Sequence, residues 1–203
     1  FILPKLRLAI TTHIVWLGAG ANGKSFWAEI MALVGGDYYK KATNTMFTRA
    51  NASPHGHTTN LADLRDARWA AFSEPESGEM LQVEFIKEMT GDATMKTRVA
   101  YASEMKQLVM SWALYMMCNA VPNLKTAGYS FARRFVGLLF PFSFVENPAA
   151  PHERKMDGSL LEHMKADVTY RQQLMRMLIK TYETEIRGKS SMWIPDVVRE
   201  ESR

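Results

Sequence analysis

Four apolar runs divide the chain, and each stops at a polar residue, a proline or a glycine-rich turn. Ile14-Val15-Trp16-Leu17 ends at Gly18 and reads as a short buried strand. Trp69-Ala70-Ala71-Phe72 is a second, closed by Ser73-Glu74-Pro75-Glu76. Trp112 through Cys118 is the longest, too continuous for a surface strand and suited to a central parallel one. Phe135 through Phe140 is the fourth, stopped by Pro141.

Between these runs the period changes from two to nearly four. Trp27, Ile30, Met31 and Val34 fall at i, i+3, i+4 and i+7, one face of a helix that Gly35-Gly36 stops. Residues 80–90 read as a second helix, with Met80, Val83, Phe85-Ile86 and Met89 inward, and Asn60 through Asp66 as a short one. Residues 93–110 suit an alternating hairpin. Residues 37–60 are polar, and the last segment, Asn51-Ala52-Ser53-Pro54-His55-Gly56-His57, reads as loop by composition. Residues 1–11 are a lead-in without a pattern. Beyond Pro148 and Pro151, Leu161, Met164, Val168, Met175, Leu178 and Tyr182 mark an amphipathic helix or helix pair. Strands alternating with helices predict an α/β fold around a parallel sheet. The expected division is a core over 1–150 and a C-terminal helical segment over 151–203.

The turn after the first strand carries the clearest chemistry. Gly18-Ala19-Gly20-Ala21-Asn22-Gly23-Lys24-Ser25 fits the phosphate-loop pattern Gly-x-x-x-x-Gly-Lys-Ser, between a strand and a helix as that pattern requires. Glycines allow backbone N–H groups to close around phosphates, and the helix N-terminus favours negative charge. Gly18, Gly20, Ala21, Asn22, Gly23, Lys24 and Ser25 are therefore expected to hold a nucleotide. Lys24 reaches the β- and γ-phosphates, and the Ser25 hydroxyl ligates magnesium.

Composition narrows the classes. In 203 residues with 47% apolar content, one α/β domain can bury a core. No apolar run approaches the ~20 residues that span a bilayer, and Phe1-Ile2-Leu3-Pro4, short and followed by charges, is not expected to be a secretory signal. The single cysteine, Cys118, forbids an internal disulfide and agrees with a reducing compartment; it reads as a small buried side chain. A net charge of +4 permits nucleic-acid binding without arguing for it. His55 and His57, in a Pro/Gly loop without acidic or cysteine partners, are a poor metal set. The 14 methionines read as packing. Phe1 at the start and the charged 199–203 stretch at the end read as cuts through a longer protein.

Three further features are placed where a nucleotide site would use them. Glu74 and Glu76 follow a buried strand, where a carboxylate can hold magnesium through water or accept a proton from attacking water. Paired glutamates in a turn are also common on surfaces. Asn119 ends the strongest strand; a neutral amide there can orient water or meet a γ-phosphate, or simply begin the turn before Pro122. Arg133-Arg134 leads into the fourth strand, as an exposed edge or as a finger that neutralises charge on a neighbouring subunit's γ-phosphate.

Together these motifs resemble the superfamily 3 helicases, and most closely the poxvirus-type primase-helicase family of large DNA viruses, phages and satellite phages. The phosphate loop with Asn22 is typical of that family. Leu61 to Arg68 followed by Phe72-Ser73-Glu74-Pro75-Glu76 resembles its Walker B region, and Phe85-Ile86-Lys87-Glu88-Met89-Thr90-Gly91-Asp92 its middle motif. Cys118-Asn119-Ala120-Val121-Pro122 is similar to its sensor 1 segment. Phe131-Ala132-Arg133-Arg134-Phe135 with Pro141-Phe142 is similar to its arginine-finger strand, and Trp193-Ile194-Pro195 with Val197 to Glu200 to its C-terminal helical segment. The likeness runs over about residues 12–203. One departure is Gly91-Asp92 where the family has two glycines before the aspartate.

The resemblance implies a compact member of the AAA+ group: three layers, α/β/α, with a central parallel sheet, a β-hairpin before the sensor strand and C-terminal helices. It implies a homo-oligomeric ring, usually a hexamer, with ATP and Mg2+ bound between subunits. Lys24, Ser25, Glu74 and Asn119 would lie on one side of that site, with Ser25 and Glu74 on the metal. Arg134 or Arg133 would come from the neighbour. Single-stranded DNA would pass through the pore, contacted by the hairpin through Lys96, Arg98, Tyr101 and Lys106. The setting would be intracellular, at the site of viral or phage DNA replication, with a primase region in the full-length protein. Two other readings keep the phosphate loop: a small-molecule kinase, which leaves Asn119 and Arg133-Arg134 without a role, and a nucleotide-binding assembly module without turnover.

Overall fold

The computed structural model describes residues 13–48, 61–73, 81–91, 94–98, 105–120, 135–188 and Val198. Its centre is a five-stranded, all-parallel sheet. Strand β1 is His13–Leu17, β2 Tyr39–Lys41, β3 Trp69–Ser73, β6 Ala113–Cys118 and β7 Phe135–Leu139, in the order β2-β3-β6-β1-β7. The long apolar run, β6, is the middle strand, as its continuous hydrophobicity predicts. Parallel pairing levels the strand ends: Leu17 lies opposite Cys118 and Leu139, and Ser73 opposite Met117. The turns after β1, β3 and β6 therefore start along one edge of the sheet.

Helix α1, Lys24–Gly35, carries the chain from β1 across to β2. It buries Ala28 and Ile30 and ends at Gly36, whose φ of 50° favours glycine and whose N–H bonds Ala32 O. Gly35 needs its missing side chain for another reason, since a Cβ there would stand 2.7 Å from the Trp69 indole. The opposite face of the sheet, bearing Val15, Ala70, Phe72, Leu114 and Met116, holds the main core. Helix α2, Val83–Gly91, closes it with Ile86 and Met89. Helices thus flank both faces.

The hairpin predicted over 93–110 is β4, Thr94–Arg98, antiparallel to β5, Met105–Val109; Leu108 and Met110 anchor its base in the core. After β7 the chain makes a short parallel pair, β8, Ser143–Val145, with β9, Glu153–Lys155. The Glu153 carboxylate accepts from the Ala149 and Ala150 N–H groups at 2.7 and 3.0 Å, which close the intervening turn and hold its pKa below the usual range. Helices α3, Leu160–Ala166, and α4, Val168–Thr181, follow, with a single π-helical turn, Tyr182–Ile186. Both pack on α1, and Lys165 bridges Glu29 of α1 at 3.6 Å.

The polar residues 37–48 hold β2 and a 3-10 turn, Asn44–Phe47, whose Met46 and Phe47 are fully buried. Phe47 stacks on Phe72 with centroids 4.0 Å apart, so one aromatic contact fixes a polar-looking stretch to the core. Three expectations need correction. The helical turn at 61–62 gives way to hydrogen-bonded turns and does not run on to Asp66, whose φ is 63°. Strand β6 begins at Ala113, after Trp112. In the C-terminal helices Leu174 is the buried residue, while Val168 and Met175 are exposed. Asp167 separates the two helices: its carboxylate accepts from the Thr169 N–H at 2.8 Å and starts α4 afresh.

Candidate functional site

The site is built where β1 turns into α1. Gly18, Ala21 and Gly23 have φ of 152°, 58° and 85°, so the loop doubles back in conformations that side chains resist. A Cβ on Gly18 would strike Asn22 Nδ2 and stand 2.5 Å from Phe140 O. The N-cap residue, Gly23, has no side chain to cap α1 and no acid sits in the first turn, so the helix N-terminus favours an anion, although the Lys24 N–H already meets Asn22 Oδ1 at 3.4 Å.

Lys24 is the one charged residue in the buried class among the described residues, at 7% exposure. A buried ammonium is unfavourable unless it finds acceptors. Lys24 Nζ donates to Gly18 O at 2.5 Å, to Asn22 Oδ1 at 3.1 Å, and at 3.4 Å to Ala19 O and Asn119 Oδ1. The last contact spans 95 residues of sequence and joins the loop to the end of β6. The sheet register makes it possible, because Leu17 and Cys118 are paired and Gly18 and Asn119 follow them. Ser25 is exposed beside this group.

Of the other predicted residues, Lys96 and Arg98 lie on β4 and Lys106 on β5. Glu74, Glu76, Tyr101, Arg133 and Arg134 lie outside the described residues, as do His55 and His57. Ser73, which precedes Glu74, is held by its N–H bond to Asn44 Oδ1 at 3.1 Å.

Sequence reasoning missed the outer lip of the loop. The Phe144 N–H bonds Ala21 O at 2.7 Å, and the Phe144 ring lies against Gly23, where a Cβ would be 3.4 Å from it. Phe142, two residues earlier, carries the Arg154 guanidinium over its ring at 4.1 Å. The aromatic run Phe140, Phe142, Phe144 was the available signal, with alternate residues sharing a face. What it faced could not be read from spacing.

Among the described residues, no cluster of three or more His, Cys, Asp or Glu could hold a metal by itself, and no helix is long and apolar enough to cross a membrane. The donors present fit magnesium that arrives with a polyphosphate, since this ion takes most of its ligands from water and phosphate and few from protein. The exposed Ser25 hydroxyl at the head of α1 would be one such ligand.

No family model matches the chain. It is 28% identical over 160 residues to a putative helicase of Acanthamoeba polyphaga mimivirus, covering 79% of this chain and 17% of that protein. It is 28% identical over 149 residues to a putative helicase of Frog virus 3, covering 70% and 15%. A putative primase of African swine fever virus is 25% identical over 179 residues, covering 84% and 18%. The chain thus spans about a sixth of the length of the curated relatives it matches. In fold it resembles the A-form apo structure of the NrS-1 C-terminal region, with a TM-score of 0.56 at 12% identity, covering 82% of this chain and 37% of that one. The chain is a distant homologue of these viral proteins, consistent with the superfamily 3 helicases that its motifs resemble.

Proposed function

We propose that this chain is the motor domain of an ATP-dependent DNA helicase of the superfamily 3 type, within the AAA+ group, acting in viral or phage DNA replication inside the host cell. The observation that carries the reading is the convergence of Lys24 and Asn119, 95 residues apart, at the carboxyl edge of a parallel sheet. A small-molecule kinase needs the lysine but has no use for that amide.

In this reading the loop N–H groups and Lys24 hold the β- and γ-phosphates. Magnesium, when bound through Ser25 and Glu74, offsets charge on the phosphate oxygens. Glu74, with Glu76 beside it, accepts the proton of the attacking water. Asn119 directs that water or a γ-phosphate oxygen. Arg134 or Arg133 of a neighbouring subunit neutralises charge that develops in the transition state, a contribution of about 10³–10⁵ in turnover for such fingers. The subunits form a homo-oligomeric, hexameric ring, and the β4–β5 hairpin contacts single-stranded DNA in its pore through Lys96, Arg98, Tyr101 and Lys106. A core over 1–150 carries the hydrolysis, 151–203 is a C-terminal helical segment packed on it, and a primase region accompanies it in the full-length protein.

Phosphate release from ATP, with and without single-stranded DNA, tests this directly. Turnover that rises several-fold with DNA and disappears in Lys24→Ala supports it. Turnover indifferent to DNA, with phosphate passed to a small acceptor, would replace it with a kinase.

A further inference from the structure

Backbone groups do the work of a phosphate loop, so the loop alone does not call for an amide at position 22. Asn22 is nevertheless 94% buried, with 6% exposure, and its two polar atoms differ sharply in environment. Oδ1 accepts from Lys24 Nζ at 3.1 Å and faces the Lys24 backbone N–H at 3.4 Å. Nδ2 is buried with no hydrogen-bond partner. An ammonium can only donate, so the oxygen must face Lys24 and the amide cannot be turned round. Nδ2 is wedged against Gly18, where a Cβ would collide with it. A buried unpaired N–H is destabilising, and an aliphatic side chain of the same shape would avoid it. The contact that the amide gains in exchange is the one to Lys24.

We propose that Asn22 is a positioning residue for Lys24. Its carbonyl oxygen fixes the ammonium at the mouth of the loop, between the loop carbonyls and Asn119, while its own side chain touches no phosphate. Two amide oxygens, from Asn22 and Asn119, then hold one cation, at 3.1 and 3.4 Å. The inference rests on the phosphate-loop reading above, and its test separates the two.

ATP and ADP affinities are titrated for the wild-type protein and for Asn22→Leu, Asn22→Asp and Lys24→Ala. Asn22→Leu removes the acceptor and weakens both nucleotides about tenfold, the loss of one hydrogen bond to a charged group. Asn22→Asp keeps the acceptor but sets a negative charge beside the phosphates. ATP carries more negative charge than ADP, so the ATP-to-ADP affinity ratio falls further in Asn22→Asp than in Asn22→Leu. A side chain that only shapes the loop, away from Lys24 and the phosphates, would leave that ratio unchanged in Asn22→Asp. Wild-type ATP affinity in Asn22→Leu, or an unchanged ratio in Asn22→Asp, overturns the proposal. If Asn22→Leu does not fold, the Asn22→Asp ratio against wild type decides alone. If Lys24→Ala binds ATP as the wild type does, the phosphate-loop reading falls, and this inference with it.

Discussion

Each atom of the loop depends on its neighbours, so single substitutions there should have large and distinct effects. Gly18→Ala would drive a Cβ into the buried Asn22 Nδ2 and to 2.5 Å from Phe140 O, and the latter is backbone that cannot swing aside. It is expected to destabilise the fold by about 2 kcal/mol or more and to abolish nucleotide binding, checked by thermal unfolding and titration with ATP. Lys24→Ala removes a buried charge without touching the glycines. It should leave the melting temperature near wild type while lowering ATP affinity about 100-fold. The loop was readable in the sequence because its residue types are dictated by local backbone geometry. Phe144 was not, because its contact to Ala21 depends on where the chain returns more than 120 residues later. Asn44 was hidden for the same reason: nothing local to it shows that it meets Ser73.

At the level of elements, the hairpin separates its own candidate contacts. Register pairs Thr94 with Val109, Lys96 with Gln107, Thr97 with Lys106, and Arg98 with Met105. Alternation places positions 94, 96, 98, 105, 107 and 109 on one face, and 95, 97, 106 and 108 on the other. Thr94, Gln107 and Val109 are exposed, whereas Leu108 is buried. Lys96→Ala and Arg98→Ala are therefore expected to weaken single-stranded DNA binding and reduce its salt slope by about one each, while Lys106→Ala changes it less. Binding measured against salt concentration checks this. Helix α4 has a dependence of its own on pH. Hydrogen bonds from the Thr169 hydroxyl and then the Thr169 N–H lower the pKa of Asp167, so this cap stabilises the fold above the ordinary aspartate range and loses its effect as pH falls through the lowered value. The stability difference between wild type and Asp167→Ala should be present at pH 7 and shrink toward zero near pH 2, read by thermal unfolding. Strands β1, β3, β6 and β7, helices α1 and α2 and the hairpin were all readable, because buried parallel strands are continuous and apolar and helices carry their period. Strand β2 was not: Tyr39-Lys40-Lys41 has three residues, and its place in the sheet comes from pairing with β3 rather than from its own side chains. The C-terminal helices misled for a related reason. Apolar residues occupy both shoulders of α4, with Val168, Met175 and Ile179 on one and Tyr170 and Met177 on the other, and only packing on α1 selects the strip containing Leu174.

For the whole molecule, the topology explains why a site forms at this edge. Strand β1 lies between β6 and β7, and the chain leaves it through α1 to reach β2 on the far side of β3. The crevice at such a change of direction is where open parallel sheets bind ligands. The loop and Asn119 meet there, and Ser73 ends at the same edge beside them. In the proposed ring each subunit supplies one half of this site, and Arg133-Arg134 of its neighbour supplies the other. The most direct measurement mixes two inactive variants, Lys24→Ala and the double variant Arg133→Ala/Arg134→Ala, over a range of ratios and follows ATP hydrolysis. Neither variant is expected to turn over alone. The double variant should still bind ATP, and mixtures should recover activity at interfaces pairing an intact Lys24 with intact arginines. Mixtures that stay inactive at every ratio, while the wild-type protein hydrolyses ATP under the same conditions, would contradict a site shared between subunits.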